Sequence, residues 1–206
     1  MGVLTVQTKF DNRWLLALIV VILSLIGTCL PLQWCVVNPQ LIFSGQIWRL
    51  LTATWVNVTP LVLATDLIYF VFVVWCIFDT QVGDELLGNV TLWVPIIALA
   101  LWVITMTELH LDISLCGLST LIWAWYGTGW VNYLYQPKKD LKHPYRALTA
   151  LVVTGLFLAT MFVPSNGYPA QLQFATNVIH TIALVIGCGF SWLWLVLKQD
   201  TAKTNK

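Results

Sequence analysis

The chain has 206 residues, of which 59% are hydrophobic and 9% charged, whereas a soluble globular domain carries about a quarter of charged residues. This composition predicts an integral membrane protein, and a net charge of +1 with no long basic run excludes nucleic acid as a partner. At about 20 apolar residues per span, six spans use roughly 120 residues and leave about 86 for loops and tails. Residues 1–206 therefore read as one all-helical domain in the lipid bilayer, with no room for a second soluble one.

The apolar runs, in chain order, are Trp14 to Leu30, Leu61 to Phe78, Thr91 to Thr107, Gly117 to Tyr135, Ala147 to Val163 and Phe174 to Leu197. Each is long enough to cross as a helix, the form in which lipid tolerates a backbone. The first run, after Lys9 and Arg13, is also the place to look for a cleaved leader, since Ile26-Gly27-Thr28-Cys29 faintly resembles a lipoprotein cleavage site. Threonine is a poor residue before such a cysteine, and loss of this run would put the later positive loops on the wrong side, so it is read as a retained span. The second span has clear start signals, with Thr59 able to cap and Pro60 at the first helical position. With both termini cytoplasmic, nine of the ten basic residues face inward and only Arg49 lies outside, which satisfies the positive-inside rule.

Five cysteines (Cys29, Cys35, Cys76, Cys116, Cys188) show neither a Cys-x-x-Cys nor a Cys/His ligand spacing, so no metal and no cofactor is expected. Cys29 and Cys35 alone could meet outside the membrane. His110, between Glu108 and Asp112, reads as a solvated outer loop, and His143 beside lysines reads as cytoplasmic surface.

Polar residues within spans are costly unless paired, so they are where chemistry is sought. Here they are Asp66 in span two, Ser119 and Thr120 at the outer start of span four, and Asn177 and His180 near the outer start of span six. Spans four and six both run inward, so Ser119 and His180 lie at comparable depth and can meet. A serine becomes a nucleophile when a base takes its proton, and a neutral histidine suffices. The free backbone N–H groups at a helix start, around Leu118 and Ser119, could receive the developing oxyanion. Ser119, Trp123 and Gly127 recur on one face of span four, as do His180, Ala183 and Gly187 on one face of span six. Small residues on both faces permit close approach, and Trp123 can lie against the imidazole. Such a serine is more often a packing residue and such a histidine a partner for a neighbour, but Asp66 demands a proton or a partner.

The order of these signals resembles the rhomboid family of intramembrane serine proteases. The matching stretches are Gly45-Gln46-Ile47-Trp48-Arg49-Leu50-Leu51-Thr52 before span two, Gly117-Leu118-Ser119 opening span four, and His180 with Gly187 in span six. Six spans with both ends inside also resemble the family's minimal bacterial core. The resemblance implies Ser119 as nucleophile, His180 as general base and Trp123 as the ring packed on that histidine. It also implies cleavage of a membrane-anchored protein substrate at the periplasmic face of a bacterial inner membrane. Among the branches, the short chain looks most like the rhombosortases, which process proteins with a Gly-Gly motif before a C-terminal anchor.

Three positions depart from the family. Its usual histidine and asparagine in span two, which help to hold the oxyanion, correspond to Val62 and Asp66, and Thr120 replaces a glycine that often follows the serine. An ionised Asp66 would repel an oxyanion, whereas a protonated one could donate to it. Two other functions compete with the protease: a rhomboid-like protein that binds membrane helices without cutting them, and a small transporter or proton relay using Asp66 and His180. For the last, the sequence has no inverted repeat.

Overall fold

The computed structural model describes residues 12–79, 82–135, 151, 154, 155, 158, 159 and 169–204. Within them the chain is all-helical, the one β-type feature being an isolated antiparallel bridge between Val37 and Leu115. The helices are α1 (Asn12–Thr28), α2 (Leu32–Cys35), α3 (Pro39–Phe43), α4 (Arg49–Thr52) with a following 3-10 turn (Ala53–Trp55), α5 (Pro60–Asp79), α6 (Asp84–Glu108), α7 (Ser119–Tyr135) and α8 (Ala170–Thr204). Two are long and apolar enough to cross a membrane, over Asp84–Glu108 and Ala170–Lys198. A third candidate span is the bent pair Arg49–Trp55 and Pro60–Val74, which turn by 83° at their break.

The helices at the expected first, second, third, fourth and sixth runs differ from the sequence reading mainly at their ends. α6 starts at Asp84 rather than Thr91, because Asp84 and Glu85 stand in its first turn, where negative charge is favoured by the exposed N–H groups. α8 extends to Thr204, beyond the Leu197 end of the sixth apolar run. α5 begins as its signals indicate: the Val62 N–H donates to Thr59 Oγ1 at 3.2 Å, with Pro60 at the first position. The expected fifth span, 147–163, lies outside the described residues except for 151, 154, 155, 158 and 159, which are helical. The segment around His143, read from the sequence as cytoplasmic, and the terminal residues 1–11 also lie outside them.

α7 is the centre of the bundle. Eleven of its residues are buried, Trp123, Trp125 and Asn132 among them, and it packs against α5, α6 and most extensively α8. Its seam with α8 depends on two glycines. A Cβ on Gly127 would collide with the Leu184 carbonyl oxygen, and one on Gly187 with the Ala124 carbonyl oxygen, so the two backbones approach as small residues allow in membrane bundles. Polar side chains along this seam all find partners. Thr128 Oγ1 donates to Ala124 O at 3.0 Å and to Gly187 O at 3.3 Å, and Asn132 Nδ2 donates to Thr128 O at 2.9 Å and to Ser191 Oγ. Indole N–H groups fasten α6 to both neighbours, Trp125 Nε1 donating to Thr91 Oγ1 and Trp102 Nε1 to Ala175 O, each at 2.9 Å.

The segment between α1 and α5 is folded onto the start of α7. Arg49 is buried, with Nη1 donating to the carbonyls of Gln33 at 2.8 Å and Val36 at 3.0 Å, and Nε donating to Gln46 Oε1 at 2.8 Å. One guanidinium thus satisfies carbonyls that short helices leave free. Val37 and Leu115 exchange backbone bonds of 2.9 Å, and Asn38 Nδ2 donates to Asp112 Oδ1 at 2.8 Å. The Gly117 N–H donates to Ala53 O at 2.9 Å. The segment leading into α7 is therefore held from the α1–α5 side before the helix begins.

Candidate active site

Gly117 ends that tethered segment with φ +150°, a backbone conformation that a side chain rarely tolerates. The turn it makes delivers Ser119 as the first residue of α7. From α8, nearly three turns after its start, His180 reaches the same point: its Nε2 lies 2.9 Å from Ser119 Oγ. Trp123, one turn further along α7, stacks on the imidazole with ring centroids 5.4 Å apart and planes at 24°. The indole fixes the ring plane, and close approach at Gly127 and Gly187 sets the distance between the helices that carry serine and histidine.

The pair opens into a cavity of about 260 Å³. Val62, Asp66, Gly117, Thr120 and Asn177 contribute to its wall beside Ser119 and His180. The structure thus brings together Ser119, His180, Trp123, Asp66 and Gly117 at the mouth, while Gly127 and Gly187 lie deeper in the seam. Val62 and Asp66, at positions where a histidine and an asparagine were expected by resemblance, both face the cavity.

The backbone donors are arranged differently from the sequence reading. Leu118 is fully buried, and its N–H is not free but donates to Asn57 Oδ1 at 3.4 Å. The Ser119 N–H is also engaged, with the Asp66 carboxyl as its acceptor. The reason is local: Asn57 and Asp66 flank the turn at Gly117, and each supplies an oxygen to an N–H that the first turn of a helix leaves without an intrahelical partner. Asp66 is only 8% exposed and its Oδ2 has no partner.

Asn57 is the site residue that sequence reasoning missed. It lies outside every apolar run, just before Thr59 and Pro60, and its partner Leu118 is 61 positions away. Cys116, also on the cavity wall, is a further potential nucleophile. Burial, and then the neighbouring Cys35 and Asp66, push its thiol up to about 12, so it stays protonated at neutral pH and does not compete with the serine. Cys29 is exposed, Cys35 buried, and both are free thiols. His110 is exposed and ends α6 in a left-handed conformation, φ 55°. Among the described residues no group of histidine, cysteine and acidic side chains is placed to hold a metal ion.

A hydroxyl, an imidazole within hydrogen-bond distance and a ring that orients the imidazole form a nucleophile and base of the kind used in acyl transfer. The sequence matches no protein-family model, and no curated protein matches it.

Proposed function

We propose that the chain is an intramembrane serine protease of the rhomboid type: a six-span bundle in a bacterial inner membrane, both termini cytoplasmic, with its dyad open to the periplasmic side. The observation that carries this reading is the 2.9 Å contact of Ser119 Oγ with His180 Nε2 inside a cavity, beneath the stacked ring of Trp123. Ser119 Oγ attacks the carbonyl carbon of the scissile peptide bond while its proton passes to His180 Nε2, which requires the neutral ring protonated on Nδ1. The C–N bond then breaks and His180 returns the proton to the leaving amine. A water from the outer side attacks the resulting ester, gives its proton to His180, and Ser119 departs with that proton.

Charge on the tetrahedral oxygen falls to Asp66 and the Ser119 N–H. A neutral Asp66 carboxyl donates where the rhomboid asparagine would, and the Ser119 N–H turns from the carboxyl to the oxyanion. The substrate is a membrane-anchored protein, and the resemblance to rhombosortases points to one whose anchor is C-terminal and preceded by Gly-Gly. Serine and histidine carry this chemistry without metal or cofactor.

A second reading has its own support. Because the N–H groups of Leu118 and Ser119 both already have acceptors, the site also suits a rhomboid-like protein that binds membrane helices and does not cut them. Co-expression with a tagged reporter bearing Gly-Gly before a C-terminal membrane helix separates the two. The protease reading predicts a shortened reporter with the wild-type chain and an intact one with Ser119→Ala. Equal shortening with both chains contradicts it, and an intact reporter that co-purifies with both supports the binding protein.

A further inference from the structure

Three buried side-chain atoms among the described residues have no hydrogen-bond partner: Thr54 Oγ1, Asn57 Nδ2 and Asp66 Oδ2. All three residues lie around the entry to α7. Thr54 follows the residue whose carbonyl takes the Gly117 N–H. Asn57 Oδ1 and Asp66 Oδ2 stand 3.8 and 3.9 Å from the point that a Cβ of Gly117 would occupy, with Ser119 Oγ 3.4 Å from the same point. Asn57, 4% exposed, has its orientation set by the Leu118 N–H, which donates to Oδ1 and leaves Nδ2 as the open donor. The open acceptor of Asp66 and the carboxamide that carries the open donor of Asn57 are thus both buried beside one glycine. Buried polar groups in folded proteins are almost always satisfied, by each other or by an ordered water.

We infer that Asn57 is a positioning residue for the reaction at Ser119: one end of its carboxamide holds the Leu118 N–H, and the other holds Asp66 Oδ2 through one bound water. The Gly117–Leu118 turn and the Asp66 carboxyl are thereby tied to a single planar group. Asp66 cannot swing away from Ser119 without breaking the link, and the turn cannot shift without moving the carboxamide. This inference rests on the protease reading of the same site. It adds that Asn57 acts on the chemistry through Asp66 and not merely by packing.

The test is a double-mutant cycle on the rate at which a fluorophosphonate modifies Ser119 in the full-length protein, using Asn57→Asp, Asp66→Ala and the pair, with thermal unfolding measured for each. Asn57→Asp keeps an oxygen for the Leu118 N–H and removes the donor to Asp66. The expected result is a loss of about tenfold in rate in the otherwise wild-type chain and much less in the Asp66→Ala chain, the non-additivity of groups that act as a unit. The same loss in both backgrounds, or no loss, overturns the inference. Should Asn57→Asp fail to fold, Asn57→Ser, able to serve one link but not both, replaces it in the cycle with the same two outcomes. Wild-type protein that is not modified at Ser119 removes the protease reading and this inference with it. Modified wild-type protein with an additive cycle removes this inference alone.

Discussion

The two ends of the contact between α7 and α8 treat polar groups in opposite ways. In the deep seam, Thr128, Asn132 and Ser191 satisfy one another and nearby carbonyls, and Gly127 and Gly187 bring the backbones together. At the mouth, the same two helices present Ser119 and His180 to a cavity, with Asp66, whose Oδ2 has no partner, on its wall and Asn57 beside Gly117. Buried polarity that only holds a fold is closed, since each open group costs about 1–3 kcal/mol. Among the described residues, the polarity left open lies at the entry to α7, beside the Ser119–His180 pair.

That division can be broken from either side. The largest effect is expected from Gly187→Leu, whose side chain would have to displace the backbone at Ala124. Thermal unfolding should show a loss of about 3 kcal/mol or more, and labelling of Ser119 should disappear with the fold. Unchanged stability would mean that the seam is not closely packed. Next comes Trp123→Ala at the mouth, which frees the imidazole ring. It should slow fluorophosphonate labelling by about a hundredfold, the scale of a misplaced catalytic group. Its labelling rate compared at matched folded fraction separates this from the cavity it leaves in the core. The smallest effect is expected from Asp66→Asn. An amide keeps an oxygen for the Ser119 N–H and offers a permanent donor to the cavity, without a carboxyl buried at 8% exposure. Because its NH2 stands where Asp66 Oδ2 would accept from the Asn57 side, labelling should slow by about tenfold with the unfolding temperature held, and a wild-type rate would show that the link to Asn57 is not used.

The parts of this arrangement that were legible in the sequence are those written in local patterns. Apolar runs marked five of the helices, Thr59 and Pro60 marked the start of α5, and the common direction of two helices put Ser119 and His180 at one depth. What was not legible depends on partners far along the chain. The short helices between α1 and α5 are too brief to persist alone and are held by Arg49 and by the Val37–Leu115 bridge. The role of Asn57 exists only because the fold brings it to Leu118, and the engagement of the Leu118 and Ser119 N–H groups follows from that and from Asp66. A helix start read alone offers free donors, whereas the tertiary structure decides whether they stay free.

The central claim, an assembled nucleophile and base at the mouth, is tested most directly by fluorophosphonate labelling of the membrane-embedded protein, with the adduct located by mass spectrometry. The account predicts one adduct, on Ser119, absent from Ser119→Ala and slowed by at least about a thousandfold in His180→Ala. A folded wild-type protein without an adduct, or a label that persists at the wild-type rate in His180→Ala, would contradict it.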